Sequence, residues 1–199
     1  GSFAVEMRPA FPGDPDYPDR AAAVLSGSGI PAGRAAGFAA AVAAVLSRKP
    51  EGKELLEAAI ADAVYRQPSN RLLEARTRQA GGAVPGSTFS YLFTWRSPAM
   101  GGKLGACHAL DIPFVFRQLD ALAAAFLTRG RAPQSLSDAM GNAWGSFART
   151  GTPDTATLAW PPYGAERTTM ILDAEPRLED DPRREIREFF AAVSPLPAR

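Results

Sequence analysis

A single histidine, His108, is the only imidazole in the 199-residue chain. Imidazole groups ordinarily titrate near neutral pH, which suits them to carry a proton from a nucleophile to a leaving group. A lone histidine can equally be an ordinary core or loop residue, and the residue types alone leave both interpretations open. Any histidine-based acid or base chemistry in this chain must therefore use His108.

The neighbours of His108 limit what it could do. Cys107 precedes it directly, and adjacent side chains normally point in different directions, so the two make a poor catalytic pair. We expect Cys107, the only cysteine, to pack as a small apolar residue. Asp111 could form a local hydrogen bond or cap the turn before Pro113. One cysteine excludes a disulfide within the chain, and one histidine excludes a His-rich metal cluster.

Charge and hydropathy exclude two classes of partner. Lysine and arginine number 22 and acidic residues 21, a net charge of +1 that argues against a nucleic-acid-binding surface. The longest apolar run, residues 35–46, is shorter than the roughly 20 residues that a membrane-spanning helix needs. We therefore expect no nucleic-acid or membrane partner. The single cysteine leads us to expect a cytoplasmic protein, or one that is indifferent to redox state.

Hydrophobic spacing predicts mostly helices, and two segments of alternating residues predict strands. In the first strand, Phe89, Tyr91, Phe93 and Trp95 share one face, which is typical of a core-facing stripe. The predicted helices cover residues 19–25, 32–46, 51–65, 69–79, 119–127, 135–150 and 182–193, and the predicted strands cover residues 88–95 and 169–172.

Motifs for several common enzyme classes are missing from the sequence. It contains no G-x-S-x-G nucleophile elbow, no phosphate-binding loop and no dinucleotide-binding glycine pattern. The glycine-rich segment at residues 27–33 lacks the basic residue of a phosphate loop and predicts a turn.

Five segments in order resemble the C-terminal part of a type B carboxylesterase, the cholinesterase-like branch of the α/β-hydrolase fold. The resemblance implies a helix-rich α/β fold that contributes a few strands to a central sheet. Residues 1–199 would then be the C-terminal portion of one domain, with a helical, pocket-forming region at 8–86 and the last strands and helices at 87–199. The five segments are YLFTWRSP at 91–98, GACHALDIPFVF at 105–116, SDAMGNAWGSFARTGTPD at 137–154, WPPYG at 160–164 and TTMILD at 168–173.

The resemblance assigns roles to individual residues. His108 matches the histidine that serves as general base in the family's catalytic triad. Glu6, within the segment GSFAVEM, matches the triad acid, although an ordinary exposed glutamate at a chain terminus is the alternative. The family's serine and its oxyanion loop belong to an N-terminal part that has no counterpart in the sequence. The candidates for lining the substrate pocket, each of which could instead be a core residue, are Phe38, Leu55, Leu72 and Phe114.

The function that the resemblance implies is hydrolysis of a small-molecule carboxylic ester through an acyl-enzyme. This chain would supply His108, and an N-terminal portion of the same esterase would be its partner and supply the serine. No metal or organic cofactor is implied, and we expect the isolated chain to be inactive. The alternatives are a non-catalytic cholinesterase-like binding module and an inactive fragment.

Overall fold

Helices form most of the chain that the computed structural model describes, which comprises residues 16–80 and 87–193. The sequence predicts Glu6 as a site residue, and this position lies outside the described residues. The α-helices are α1 (Tyr17–Gly27), α2 (Ala35–Leu46), α3 (Gly52–Ala59), α4 (Gln67–Ala80), α5 (Ile112–Val115), α6 (Leu122–Thr128), α7 (Gln134–Thr150) and α8 (Arg184–Val193). The strands are β1 (Tyr91–Phe93), β2 (Thr168–Leu172) and β3 (Arg177–Asp180).

The chain divides into two compact units. Of the described residues, the first unit, which we call the helical unit, comprises 16–72 and 183–193, and the second, the sheet unit, comprises 73–80 and 87–182. The boundary between the two units lies inside α4, and α8 belongs to the same unit as α1, α2 and α3. The two regions that the sequence predicts, residues 8–86 and 87–199 of one domain, stay a prediction.

In the helical unit, α2 packs against α8 through aromatic rings. Phe38 is 1% exposed, and its ring centroid lies 5.6 Å from that of Phe189 and 6.0 Å from that of Phe190. A Cβ atom at Gly37 would lie 3.3 Å from the ring of Phe189, so glycine permits this close approach. A capping box at Glu51 and Glu54 starts α3, which continues into a π-helical segment at Ile60–Arg66.

The π-helical segment carries a buried cluster of charges. Asp62 has no exposed surface, and one of its carboxylate oxygens lies 2.9 Å from an Arg183 nitrogen. Its other oxygen lies 3.5 Å from Nε of Arg66. Burial lowers the pKa of Arg66 to about 10, the attraction of Asp62 opposes that shift, and the charge of Arg183 adds to it. The two guanidinium groups therefore depend on one buried carboxylate.

The sheet unit is built on a three-stranded sheet in the order β1, β2, β3. Strand β1 runs parallel to β2, and β3 runs antiparallel to β2. Beyond the end of β1, the Thr94 hydroxyl donates to the Asp173 carboxylate at 2.7 Å, joining that end to the residue that follows β2. Every residue of β3 is exposed, whereas Ile171 and Leu172 of β2 are buried.

Helix α7 covers the core of the sheet unit. Leu136 and Met140 on this helix are completely buried, as is Phe114 of α5. The Ser137 hydroxyl donates to the backbone oxygen of Phe114 at 2.9 Å, linking α7 to α5 inside the core. The predicted strand at residues 88–95 is shorter in the structure, and its face is only partly enclosed, since Tyr91 is 38% exposed.

Removing the shared carboxylate should destabilise the helical unit. Asp62→Ala leaves Arg66 and Arg183 with no carboxylate between them, and we expect it to lower the free energy of unfolding by about 3 kcal/mol. Urea denaturation followed by circular dichroism measures this loss. The control Glu57→Ala removes a partly exposed ion pair with Lys53 and should lower the free energy of unfolding by less than about 1 kcal/mol. Equal losses in the two variants would contradict the role given to Asp62.

Candidate active site

His108 lies in a tight turn between two buried residues. The side chains of Cys107 and Leu110 are 7% and 0% exposed, whereas His108 itself is exposed. The Leu110 amide donates to the Cys107 carbonyl at 3.2 Å and closes the turn. Ala109 has φ of 63°, in the left-handed region that glycine adopts most readily. The backbone thus presents the imidazole at the surface while its neighbours anchor the turn in the core.

Hydrogen bonds fix the loop that leads from the sheet to this turn. The Ser97 amide donates to the Gly105 carbonyl at 2.9 Å, which closes the loop between them. The buried Ser97 hydroxyl donates to the Leu127 carbonyl at 2.6 Å and accepts from the Ala99 amide at 3.1 Å. One serine side chain therefore ties the loop to the end of α6.

Phe114 holds the other side of the turn in the core. Its ring centroid lies 5.3 Å from that of Phe93 and 5.2 Å from that of Trp95, both of which lie in or just after β1. The backbone amides of Phe114 and Val115 donate to the carbonyl of Asp111 at 3.1 Å and start α5. Packing of α5 against β1 therefore places the His108 turn beside the end of the sheet.

The Asp111 side chain contacts β1 instead of capping α5. The Tyr91 hydroxyl donates to an Asp111 carboxylate oxygen at 3.3 Å, and α5 has no side-chain cap hydrogen bond. Burial of Tyr91, together with the charge and hydrogen bond of Asp111, raises the pKa of Tyr91 to about 12. The sequence left two roles open for Asp111, a helix cap and a local hydrogen bond. The structure shows no side-chain cap, and the hydrogen bond that it does show is not local, because Tyr91 is 20 residues away.

The four predicted pocket residues lie in different surroundings. Phe38 is buried, and Leu55 partly buried, in the core of the helical unit. Leu72 belongs to the same unit but lies at its surface, with 64% of its area exposed. Phe114 is completely buried in the core of the sheet unit. Their part in a substrate pocket stays a prediction.

Two serines on α7 have structural partners. The Ser137 hydroxyl is occupied by the Phe114 carbonyl, and the Ser146 hydroxyl donates to the carbonyl of Asp154 at 3.0 Å. Neither serine stands on the strand-to-helix turn that exposes a nucleophile in α/β-hydrolases. Both hydroxyls therefore hold α7 against neighbouring backbone.

Neither a metal cluster nor a membrane-spanning helix is found among the described residues. Among residues 16–80 and 87–193, no group of three or more potential metal ligands comes together. Over the same ranges, none of the helices has the length and apolar character to cross a membrane.

Comparison with known proteins identifies the class of protein to which this fold and turn belong. Residues 41–190, more than half of the chain, match the carboxylesterase family. The chain belongs to this family, and its helices and three-stranded sheet are part of an α/β-hydrolase fold. The match includes the His108 turn, so the resemblance noted in the sequence is confirmed at the level of family and fold.

Individual relatives make the relationship more specific. The para-nitrobenzyl esterase of Bacillus subtilis (strain 168) is 42% identical over 102 residues, which are 49% of this chain and 20% of the relative. A solved PNB esterase is similar with a TM-score of 0.64 and 30% identity over 86% of this chain and 33% of its own. An esterase from the anaerobe Clostridium hathewayi shares the fold, with a TM-score of 0.63 and 20% identity over 96% of this chain and 36% of its own. The chain thus spans between a fifth and about a third of the length of these relatives.

The sequence did not predict two separate polar contacts that the structure shows. The sequence singles out Asp111, but the alternating aromatic pattern of residues 88–95 does not indicate that the Tyr91 hydroxyl is its partner. The Asp62 cluster was also missed, because Arg183 lies 121 residues from Asp62, and the four-residue spacing of Asp62 and Arg66 is equally typical of an exposed helix face. Spacing within one element cannot reveal bonds of this kind.

The positive φ of Ala109 should make the His108 turn sensitive to β-branching. Ala109→Val places a β-branched side chain at a positive φ, which costs it more than alanine, and we expect the Leu110 amide to exchange with solvent about tenfold faster. Ala109→Gly, which adopts positive φ freely, should leave this exchange as slow as in the parent. Hydrogen exchange by NMR makes the comparison, and similar rates in the two variants would contradict the strained turn.

The raised pKa of Tyr91 should make stability fall in alkali. An unfolded tyrosine ionises near pH 10, whereas folded Tyr91 keeps its proton up to about 12. The unfolded state therefore loses this proton first, and the free energy of unfolding should fall between pH 10 and 12. Tyr91→Phe should reduce this fall, measured as the shift of the urea midpoint with pH. A fall of equal size in both proteins would show that Tyr91 does not contribute.

Proposed function

We propose that this chain is the C-terminal portion of a serine carboxylesterase and supplies its general base, His108. One observation carries the proposal: a backbone-fixed, exposed turn presents the only histidine of a chain that belongs to the carboxylesterase family. The nucleophilic serine would come from an N-terminal portion of the same esterase. This division agrees with the length of the chain, which covers a third of a solved esterase.

The proposed reaction is acyl transfer in two steps. The serine oxygen attacks the ester carbonyl carbon while His108 accepts the serine proton. His108 then gives that proton to the departing alkoxide, and the acyl group stays on the serine. In the second step His108 takes a proton from water as the water oxygen attacks the acyl-enzyme carbonyl carbon. His108 then returns that proton to the serine oxygen as the bond to the acyl group breaks, and the acid product leaves and ionises to the carboxylate. A carboxylate, for which we propose Glu6, orients the imidazole and stabilises its charged form.

The proposed substrate is a small-molecule carboxylic ester, and no step uses a metal or organic cofactor. The name of the Bacillus subtilis relative refers to para-nitrobenzyl esters, which supports this substrate class. The predicted pocket role of Phe38, Leu55, Leu72 and Phe114 belongs to the same proposal, and Leu72 has the largest exposed fraction among them. We propose a cytoplasmic location, in keeping with a chain that has one cysteine and hence no internal disulfide.

Exposed apolar surface in the sheet unit supports the proposed partner. Ile112 and Phe116 lie one turn apart on and after α5, and Leu122 and Phe126 lie one turn apart on α6. All four are more than half exposed, and Leu122 is 90% exposed. Surface of this kind marks a site where another protein segment packs. An N-terminal portion of the esterase would cover it.

A hybrid esterase tests the proposal directly. It consists of this chain produced together with the N-terminal portion of the Bacillus subtilis para-nitrobenzyl esterase that carries the serine. We expect native mass spectrometry to show a complex of the two chains, a fluorophosphonate probe to label the longer one, and the complex to hydrolyse para-nitrophenyl acetate. A complex that forms but neither takes up the probe nor hydrolyses the ester would overturn the proposed function.

Substitution of His108 in the hybrid esterase tests the role of the base. His108→Ala should lower kcat at least about a thousandfold, because the serine then has no group to accept its proton. The matched control is Ser146→Ala, which removes a structural hydroxyl and should leave kcat within about twofold. Turnover by His108→Ala close to that of the control would exclude His108 as the base.

A further inference from the structure

Asp111 occupies a position where an aspartate normally caps a helix. It directly precedes α5, and a carboxylate there ordinarily accepts a hydrogen bond from an amide of the first helical turn. In this structure the Asp111 side chain makes no such bond and instead accepts from the Tyr91 hydroxyl at 3.3 Å. The Asp111 side chain thus gives up the stabilisation of a helix cap and instead links the His108 turn to β1.

Tyr91 provides a rigid donor for this link. Its backbone pairs with Met170 in the parallel ladder of β1 and β2. Its ring makes edge contacts with Trp144 and Trp160, whose centroids lie 5.0 and 6.4 Å away. A tyrosine hydroxyl is protonated throughout the neutral range, and the hydrogen bond to Asp111 stabilises this protonated form. The hydroxyl is therefore fixed in place and remains a donor.

The turn that carries His108 needs an outside restraint. Ala109 holds a positive φ of 63°, and strained conformations of this kind persist only where the surrounding structure holds them. Burial of Cys107 and Leu110 fixes the base of the turn. Asp111, three residues after His108, provides a side-chain hydrogen bond that joins the turn to the sheet.

We infer that Tyr91 is a positioning residue for His108 and acts through its hydrogen bond to Asp111. The bond holds the turn on β1 and so sets where the imidazole stands relative to the sheet. The catalytic consequence rests on the proposed function. The structural part concerns this chain alone and can be tested without any esterase activity.

The first test uses the full 199-residue chain, in which one histidine gives one set of imidazole signals. Tyr91→Phe removes the hydroxyl and keeps the ring that packs against Trp144. We expect the ring signals of His108 to shift and the Leu110 amide to exchange about tenfold faster, while the Met170 amide in the sheet keeps its rate. Tyr65→Phe, the same substitution in the helical unit, should change neither reading.

A double-mutant cycle identifies the partner. Asp111→Ala should reproduce the effect of Tyr91→Phe, and the double variant should be no worse than either single variant. Asp111→Asn keeps an oxygen that can accept from Tyr91 and should retain part of the slow exchange. Unchanged His108 signals and Leu110 exchange in Tyr91→Phe would overturn the inference, as would strictly additive effects in the cycle.

The second test measures catalysis in the hybrid esterase. Tyr91→Phe should lower kcat for para-nitrophenyl acetate about tenfold and leave KM unchanged, because the base is displaced while substrate binding is retained. Tyr65→Phe should leave both constants unchanged. Altered His108 signals with an unaltered kcat would overturn the positioning role. An inactive parent hybrid would instead count against the proposed function, while the NMR result would stand independently.

Discussion

The enclosure of Phe114 is the constraint on which the position of His108 depends. This ring is completely buried, packs on Phe93 and Trp95, and its backbone carbonyl accepts from the Ser137 hydroxyl. Since Phe114 follows His108 by six residues along a turn and a short helix, its burial restricts where the turn can lie. Apolar packing thus sets the location of the histidine, and polar bonds refine its orientation.

The two units obtain their stability in different ways. The core of the sheet unit is a cluster of apolar and aromatic side chains, and the polar residues buried in that unit are mostly serines and threonines, including Ser97 and Ser137. The helical unit includes a buried carboxylate shared by two arginines. A buried pair of this kind contributes less than a well-packed apolar group, but it penalises any arrangement that separates its members. The helical unit therefore depends on specific charged partners in addition to apolar packing.

The sequence was sufficient to predict the strongly periodic elements, because apolar spacing repeats along each of them. All seven predicted helices exist within a few residues of their predicted bounds, as does the strand at Thr168–Leu172. Strand β3, with the sequence RLED, was missed because it is exposed along its whole length and shows no alternation. Helix α5 was missed because four residues are too few to show a period. The motif located His108, but the Tyr91 bond depends on tertiary packing that spacing cannot reveal.

The two outer strands of the sheet end it in opposite ways. Strand β3 presents charged, exposed residues, which discourage another strand from pairing with it. Strand β1 is uncharged, and within residues 87–193 it pairs with β2 alone. An uncharged edge is a template on which a second copy can add by backbone hydrogen bonding, the first step towards insoluble aggregates. The isolated chain should therefore be kept dilute and stored only briefly, because a high protein concentration brings such strand edges together.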